Sequence, residues 1–357
     1  MDIRLAYGKK GLEITLPEEG LTIIEPKFVP GLSDERKTFI DSLRHPIGSP
    51  ALEELIKPKD SIAIVFSDIT RPVPNRKIIP WLLEELGGVS KDRVVLINAT
   101  GMHRANTIEE LTEMLGKEVV KNYRIINHDG QKKDGMVYLG KNRTGGEIWI
   151  NGDYIRADIR ILTGFIEPHF FAGFSGGPKS VLPGISGEET VMHNHSAHML
   201  NNPKANWGIT YGNPVWDEIR EVALMTEPTF IINVTLNKEK RITGVFSGGM
   251  NLAHQKGVEF AGRSAMRAVP YLFDLVITTN SGYPLDLNLY QTIKGMSAAS
   301  QIVKKDGAII CVSECSDGFP EHGNYRRILQ MGNDPEEILK IIESPGFCMF
   351  DQWEAQI

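Results

Sequence analysis

Between Gly164 and Ser196 the chain reads GFIEPHFFAGFSGGPKSVLPGISGEETVMHNHS, which places His169, the turn glycines Gly173, Gly176 and Gly177, then Lys179, then His193 and His195 in one segment. Imidazoles move protons or ligate metals near neutral pH. A lysine amine is a cation or, once neutral, a nucleophile. Glycines at this density let backbone approach a ligand and aim N–H groups at an anion. Any one of these residues alone reads more simply as an incidental polar group on a loop. Together they point to chemistry.

Two more loops carry candidates. SDITRPVPN (67–75) holds Asp68 and Arg71, stiffened by Pro72 and Pro74, and ATGMHR (99–104) holds His103 just after Gly101. Both loops follow apolar runs, SIAIVF (61–66) and RVVLIN (93–98), and the central segment follows a third, DIRILTG (158–164). Continuous apolar runs of strand length are expected where a parallel sheet is covered on both faces. Ligands in such sheets bind outside the carboxyl ends of the strands, so Asp68, Arg71, His103 and His169 are expected to converge although distant in sequence.

The remaining elements frame these strands. IRLAY and LEITL form a short strand pair turning at Gly8 and Gly11; Ser33 caps a helix with Asp34 and Glu35 in its first turn; another helix runs from Arg76 to Leu86. Thr107 and Glu110 make a capping box. Residues 122–158 read as an excursion from the sheet, with EIWIN as a short strand and His128 structural or exposed. GEETVMHNHSAHML reads as one helix, in which His193 and His195, two positions apart, face opposite sides so that only one reaches the site. A helix over 214–225, a strand pair (TFIINVTLN, RITGVFSG) and a helix over 251–266 follow. RAVPYL (267–272) then separates a fresh βα unit, FDLVITT, NSGYPLD and LNLYQTIKGMSAASQIV, where Gln291 and Lys294 share a helix face. The strand GAIICVSE and a helix opened by Asp334 complete the reading. The expected architecture is α/β with two domains, 1–268 and 272–357, each with a largely parallel sheet flanked by helices, and an active site in the cleft between them.

A net charge of -6 without a basic stripe argues against nucleic acid as a partner. No apolar run approaches the ~20 residues of a membrane span and the first residues lack a signal-peptide core, so a cytoplasmic protein with no membrane association is expected. Three cysteines are too few for a disulfide framework and are read as reduced. Neither a Walker lysine nor GxGxxG occurs, which gives ATP or NAD little support. Partners are expected among small molecules or other subunits, a homo-oligomer included.

Taken as a set, SDITRPVPN, TGMHR, GFIEPHFFAGFSGGPKSVLPGISGEET, HNHS and YQTIKG resemble the lactate racemase family, nickel-pincer-nucleotide isomerases that racemise or epimerise 2-hydroxy acids. The resemblance implies a pyridinium-3,5-bisthiocarboxylic acid mononucleotide carrying nickel, joined through a thioamide to Lys179, with His195 as the protein's nickel ligand. It implies His103 and His169 as the two bases, Arg71 as the grip on the substrate carboxylate, and Gln291 and Lys294 as substrate-side residues. Asp68 would position the cofactor or Arg71. Gly173, Ser175, Gly176 and Gly177 would cradle the nucleotide. The implied substrate is a 2-hydroxy acid, lactate or a related acid, inverted by hydride removal and return through a 2-keto acid, and the implied partners include the proteins that build the cofactor. Relatives are also expected to continue beyond residue 357, completing the second domain. Two other readings stand beside this one: a non-catalytic carrier of nickel or its nucleotide, which needs Lys179 and His195 but not the two bases, and a zinc-dependent hydrolase, which lacks an HExxH or carboxylate-rich ligand set.

Overall fold

A computed structural model describes residues 1–319 and 323–357. The chain divides into two compact units, one of Pro26–Asn194 with Lys204–Met266, the other of Met1–Glu25, His195–Pro203 and Arg267–Ile357.

In the first unit the apolar runs become strands of one sheet: β1 (Ile62–Ser67), β2 (Val94–Ala99), β3 (Arg124–Asn127), β4 (Ile159–Phe165), β5 (Phe230–Leu236) and β6 (Ile242–Gly248), in the order β6-β5-β4-β1-β2-β3. All neighbours are parallel except β5 and β6, which pair antiparallel. The first five residues of β1 and of β2 are buried, as branched side chains must be when helices cover both faces. Ile62, Ile64 and Phe66 pack with Phe39, Leu43, Ile79 and Leu82 from helix Glu35–Arg44 and from α1 (Asn75–Glu85). Each fully buried aliphatic or aromatic side chain of this kind contributes about 1.5–3 kcal/mol. The capping box at Thr107 forms as expected and opens α2 (Ile108–Leu115).

Three local expectations are corrected. Asp34, not Ser33, caps its helix, accepting from the Lys37 N–H at 2.9 Å, because a carboxylate at that position reaches the third amide of the first turn. The 122–158 stretch is not wholly an excursion: Arg124–Asn127 is an edge strand of the main sheet, too short and too polar to announce itself, and only the hairpin Met136–Lys141 with Glu147–Asn151 stands apart. The histidine-rich helix breaks: α3 (Glu188–Asn194) ends before His195, and a separate turn, Ala197–Leu200, starts after Ser196. His195 therefore sits at a break, where helical spacing from His193 says nothing about its direction. His128 is structural, its Nε2–H donating to the Ser186 carbonyl at 2.9 Å and its Nδ1 accepting from Asn151 at 3.3 Å.

Downstream, α4 (Pro214–Met225) is capped by Asn213, and α5 (Met250–Ala265) packs on β5 and β6.

The second unit holds the hairpin Asp2–Leu5 with Leu12–Thr15 and a parallel pair, β7 (Phe273–Thr279) and β8 (Val303–Val312), joined through α6 (Leu289–Ser300). Asp286 ties the N-terminal segment to this pair, accepting from the Gly8 N–H at 2.7 Å and from the Glu314 N–H at 3.2 Å. The last helix, α7 (Gln352–Gln356), buries Gln352, Trp353 and Glu354. Burial, and then the neighbouring Asp351, push the Glu354 carboxyl up to about 9 against the opposing pull of Lys294. The folded chain holds this proton where the unfolded chain has lost it. Its contribution to stability is thus intact below pH 4.5 and is lost as pH rises to about 9. Glu354→Gln is expected to lose at least about 4 °C less in Tm than the parent between pH 5 and pH 9 in thermal melts.

Candidate active site

The strand order reverses between β1 and β4: from β1 the chain proceeds outward to β2 and β3, and from β4 to β5 and β6. Loops leaving neighbouring strands in opposite directions open a crevice at their carboxyl ends, which is where a ligand of such a sheet is held. Asp68 and Arg71 leave β1, His103 leaves β2, and His169 leaves β4.

Asp68 is 2% exposed, and its Oδ2 takes the His103 Nδ1–H at 2.8 Å. Thr70 Oγ1 donates to Asp68 Oδ1 at 2.8 Å and accepts from Arg71 Nη1 at 2.8 Å, so one hydroxyl links carboxylate and guanidinium. Burial alone would raise the Asp68 pKa. The charge and hydrogen bond of His103, with Arg71 and Thr70, outweigh it and hold the carboxyl below its ordinary value. The Asp68 carboxylate accepts from Nδ1 of the His103 ring, which leaves Nε2 as the ring nitrogen free to exchange a proton with a ligand, the orientation of a general base. A ladder of amides holds this loop cluster on the sheet: Asn98 Nδ2 donates to Asn106 Oδ1 at 2.8 Å and to Asn127 Oδ1 at 2.7 Å, and the Asn106 side-chain oxygen accepts from the Ile69 N–H at 3.3 Å.

Lys179 lies in the tight turn Gly177–Ser180. The residue is half-buried, yet its amine is deep enough that burial, followed by the charge of Arg71, pushes its pKa down to about 7. The amine stands 5.4 Å from the centre of the Phe171 ring. That ring meets His169 edge-on at 4.6 Å, and His169 Nδ1 accepts the Ala172 N–H at 3.2 Å. Lys179, Phe171 and His169 are thus successive neighbours. His169 pairs with Gly173 across a two-residue bridge, and Gly173 (φ 78°) admits no side chain, since a Cβ there would stand 2.1 Å from the Ile209 carbonyl oxygen.

The serine hydroxyls of the turn face the protein. Ser175 Oγ donates to the Phe165 carbonyl at 2.9 Å and accepts the Glu167 N–H at 2.9 Å; Ser180 Oγ donates to the Thr163 carbonyl at 3.1 Å. The Gly177 N–H is taken by Asn233 Oδ1 at 2.6 Å.

In the second unit, the Lys294 amine donates to Gln291 Oε1 at 2.5 Å, which puts both groups on one face of α6. His195 is buried, and the edge of its ring meets Trp353 of α7 at 5.4 Å. The sequence reading missed Trp353, because one tryptophan in a short polar helix carries no motif and its neighbour comes from more than a hundred residues earlier. Among the described residues no three His, Cys, Asp or Glu side chains gather as a metal site. No helix among them is long and apolar enough to cross a membrane.

Comparison with known proteins covers the whole chain. The family model of the lactate racemase N-terminal domain matches residues 7–208, and that of the lactate racemase C-terminal domain matches residues 270–357. The chain is 38% identical over 364 residues to the lactate racemase of Thermoanaerobacterium thermosaccharolyticum, covering 100% of this chain and 84% of that protein. It is 41% identical over 362 residues to the lactate racemase of Lactiplantibacillus plantarum, covering 99% and 85%. The solved lactate racemase apoprotein of T. thermosaccharolyticum superposes with a TM-score of 0.90 at 37% identity, covering 100% of this chain and 85% of that one. A Thermotoga maritima protein superposes at 0.71 with 21% identity over 90% and 81% of the two chains, a likeness of fold alone.

Proposed function

Because the chain belongs to the lactate racemase family and is an isomerase of the racemase type, we propose that it inverts the stereocentre of a 2-hydroxy acid, lactate or a close relative, with a nickel-pincer nucleotide anchored on Lys179. The observation that carries this reading is the buried, readily deprotonated Lys179 amine beside Arg71. A lysine that kept its usual proton could not attack an acyl carbon, whereas this one offers a lone pair near neutral pH. Its surroundings, Phe171 and the close-packed glycine turn, fit a flat ring laid against apolar surface. When bound, the cofactor supplies an electron-poor pyridinium ring and nickel able to take up and return hydride.

The protein's own groups do the rest. Arg71 grips the substrate carboxylate through parallel N–H bonds and so fixes the plane of the reacting carbon. His103 takes the hydroxyl proton on Nε2, and Asp68 holds the ring's tautomer and stabilises the imidazolium that results. Each enantiomer presents its hydroxyl from its own side, so a second imidazole is needed, and His169 is assigned that part. His195 is assigned to nickel, with Trp353 holding its ring, and Gln291 and Lys294 to the substrate. Gly173, Ser175, Gly176 and Gly177 serve the nucleotide through the backbone shape of their turn, since the Ser175 hydroxyl is engaged elsewhere. A carrier would leave the Asp68–His103 pair without a task.

Production together with the cofactor pathway, then intact mass, metal content and a chiral assay over 2-hydroxy acids, tests the reading. An adduct on Lys179 with one nickel per chain and interconversion of enantiomers is expected; an unmodified Lys179 in a protein that nonetheless racemises would overturn it. Arg71→Lys keeps the charge but loses the two-point grip, and kcat/KM is expected to fall about 10- to 100-fold, on the order of 1.5–3 kcal/mol for a charge-assisted hydrogen bond.

A further inference from the structure

Two buried polar side chains outside this machinery grip the turn that carries Lys179. Asn233, on β5 and 0% exposed, accepts the Gly177 N–H at 2.6 Å. His254, on α5 and 4% exposed, donates Nε2–H to the Ser175 carbonyl at 2.9 Å, and its ring stacks on Trp216 with centroids 4.8 Å apart. The fit is close. A Cβ at Gly177, where φ is 51°, would stand 2.5 Å from His254 Cδ2, and one at Gly176 would stand 2.7 Å from Asn233 Oδ1.

Packing alone does not account for either residue. The neighbours of Asn233 on β5 are Ile231, Ile232 and Val234, all buried and apolar, and an aliphatic residue would continue the pattern. Asn233 instead leaves its Nδ2 buried with no hydrogen-bond partner among the described residues, a cost of about 1–3 kcal/mol. Burial pushes His254 down to about 4, so it stays neutral and has one N–H to give, which goes to the turn.

We propose that Asn233 and His254 are positioning residues that clamp Ser175 and Gly177, and thereby hold the Lys179 amine in its buried station beside Arg71 and Phe171. With the clamp released, the turn can swing outward and the amine reaches water, regaining the proton affinity of an ordinary lysine. The inference builds on the reading of Lys179 as the anchoring amine, but its test does not need the cofactor.

The test is competitive acetylation of the apo-protein with trace acetic anhydride across pH 6 to 10, followed by peptide mass mapping of Lys179 against an exposed lysine such as Lys37. In the parent the Lys179 profile is expected to be half-maximal near pH 7. Asn233→Leu and His254→Leu are expected to move that midpoint up by at least about one pH unit, a tenfold fall in neutral amine on the acid side. His254→Gln, which keeps a donor for the Ser175 carbonyl, should restore it. A merely structural role would lower Tm without moving the midpoint. Should Asn233→Leu fail to fold, Asn233→Ser shortens the acceptor without enlarging the side chain and reads the same shift. Folded variants with the parent's midpoint would overturn the proposal. Cofactor loading is read separately by intact mass: a midpoint shift in the variants, with no adduct on the parent after co-production, would sink the function reading and leave this one standing.

Discussion

Lys179→Ala is expected to give a folded protein that carries no covalent adduct and has lost racemase activity by at least roughly 10³-fold. On the proposed reading the tether would make the cofactor part of the chain, and the advantage of a held reactant over a free one corresponds to about 7–11 kcal/mol when the geometry is right. Alanine removes the only atom that can form the bond while leaving the turn glycines, Asn233 and His254 in place. Removing the amine relieves a buried group whose charged form is disfavoured by burial and by Arg71. Intact mass and a chiral assay on the same preparation check the result, with Tm as the control. An Ala variant that still carries the adduct, or that turns over at a tenth of the parent's rate, would refute the anchor.

Asp68→Asn should be nearly as severe in kcat. The amide is close in shape to the carboxylate but neutral, so the imidazolium formed at His103 loses its buried counter-charge. The side chain can also turn an N–H toward Nδ1, which moves the ring's proton onto Nε2, the nitrogen proposed as the base. Loss of properly poised general-base catalysis amounts to about 10²- to 10⁴-fold. Because Thr70 links Asp68 to Arg71, a smaller rise in KM is expected as well. Steady-state kinetics in both directions separate the two effects. A fall confined to KM would assign Asp68 to substrate binding instead.

The parts that could be read beforehand were those in which one segment contains its own explanation. The runs ending at Ser67, Ala99 and Phe165 are largely apolar because both their faces are covered, and the loops after them carry Asp68, His103 and His169. The capping box at Thr107 is likewise complete within four residues. What escaped depends on neighbours remote in sequence. Asn233 looks like an interruption in an apolar strand until the Gly177 N–H is seen above it, and His254 looks like any helix histidine until Ser175 is seen beside it. The edge strand Arg124–Asn127 has its place because β2 offers it a ladder, not because its own pattern demands extension. His195 was misplaced by a composition that favours helix across a point where the chain in fact breaks.

The pairing of β1 with β4 joins Ile62 to Ile159, and β5 is added only when Phe230 arrives opposite Ile161. During synthesis the loops that carry His103, His169 and Lys179 therefore emerge before β5, and such long-range pairings close slowly. Until residues 230–236 and the helix behind them leave the ribosome, nothing stands beneath Gly177 to set the amine. The turn that carries Lys179 therefore takes its final shape only once its partners on β5 and α5 have been made.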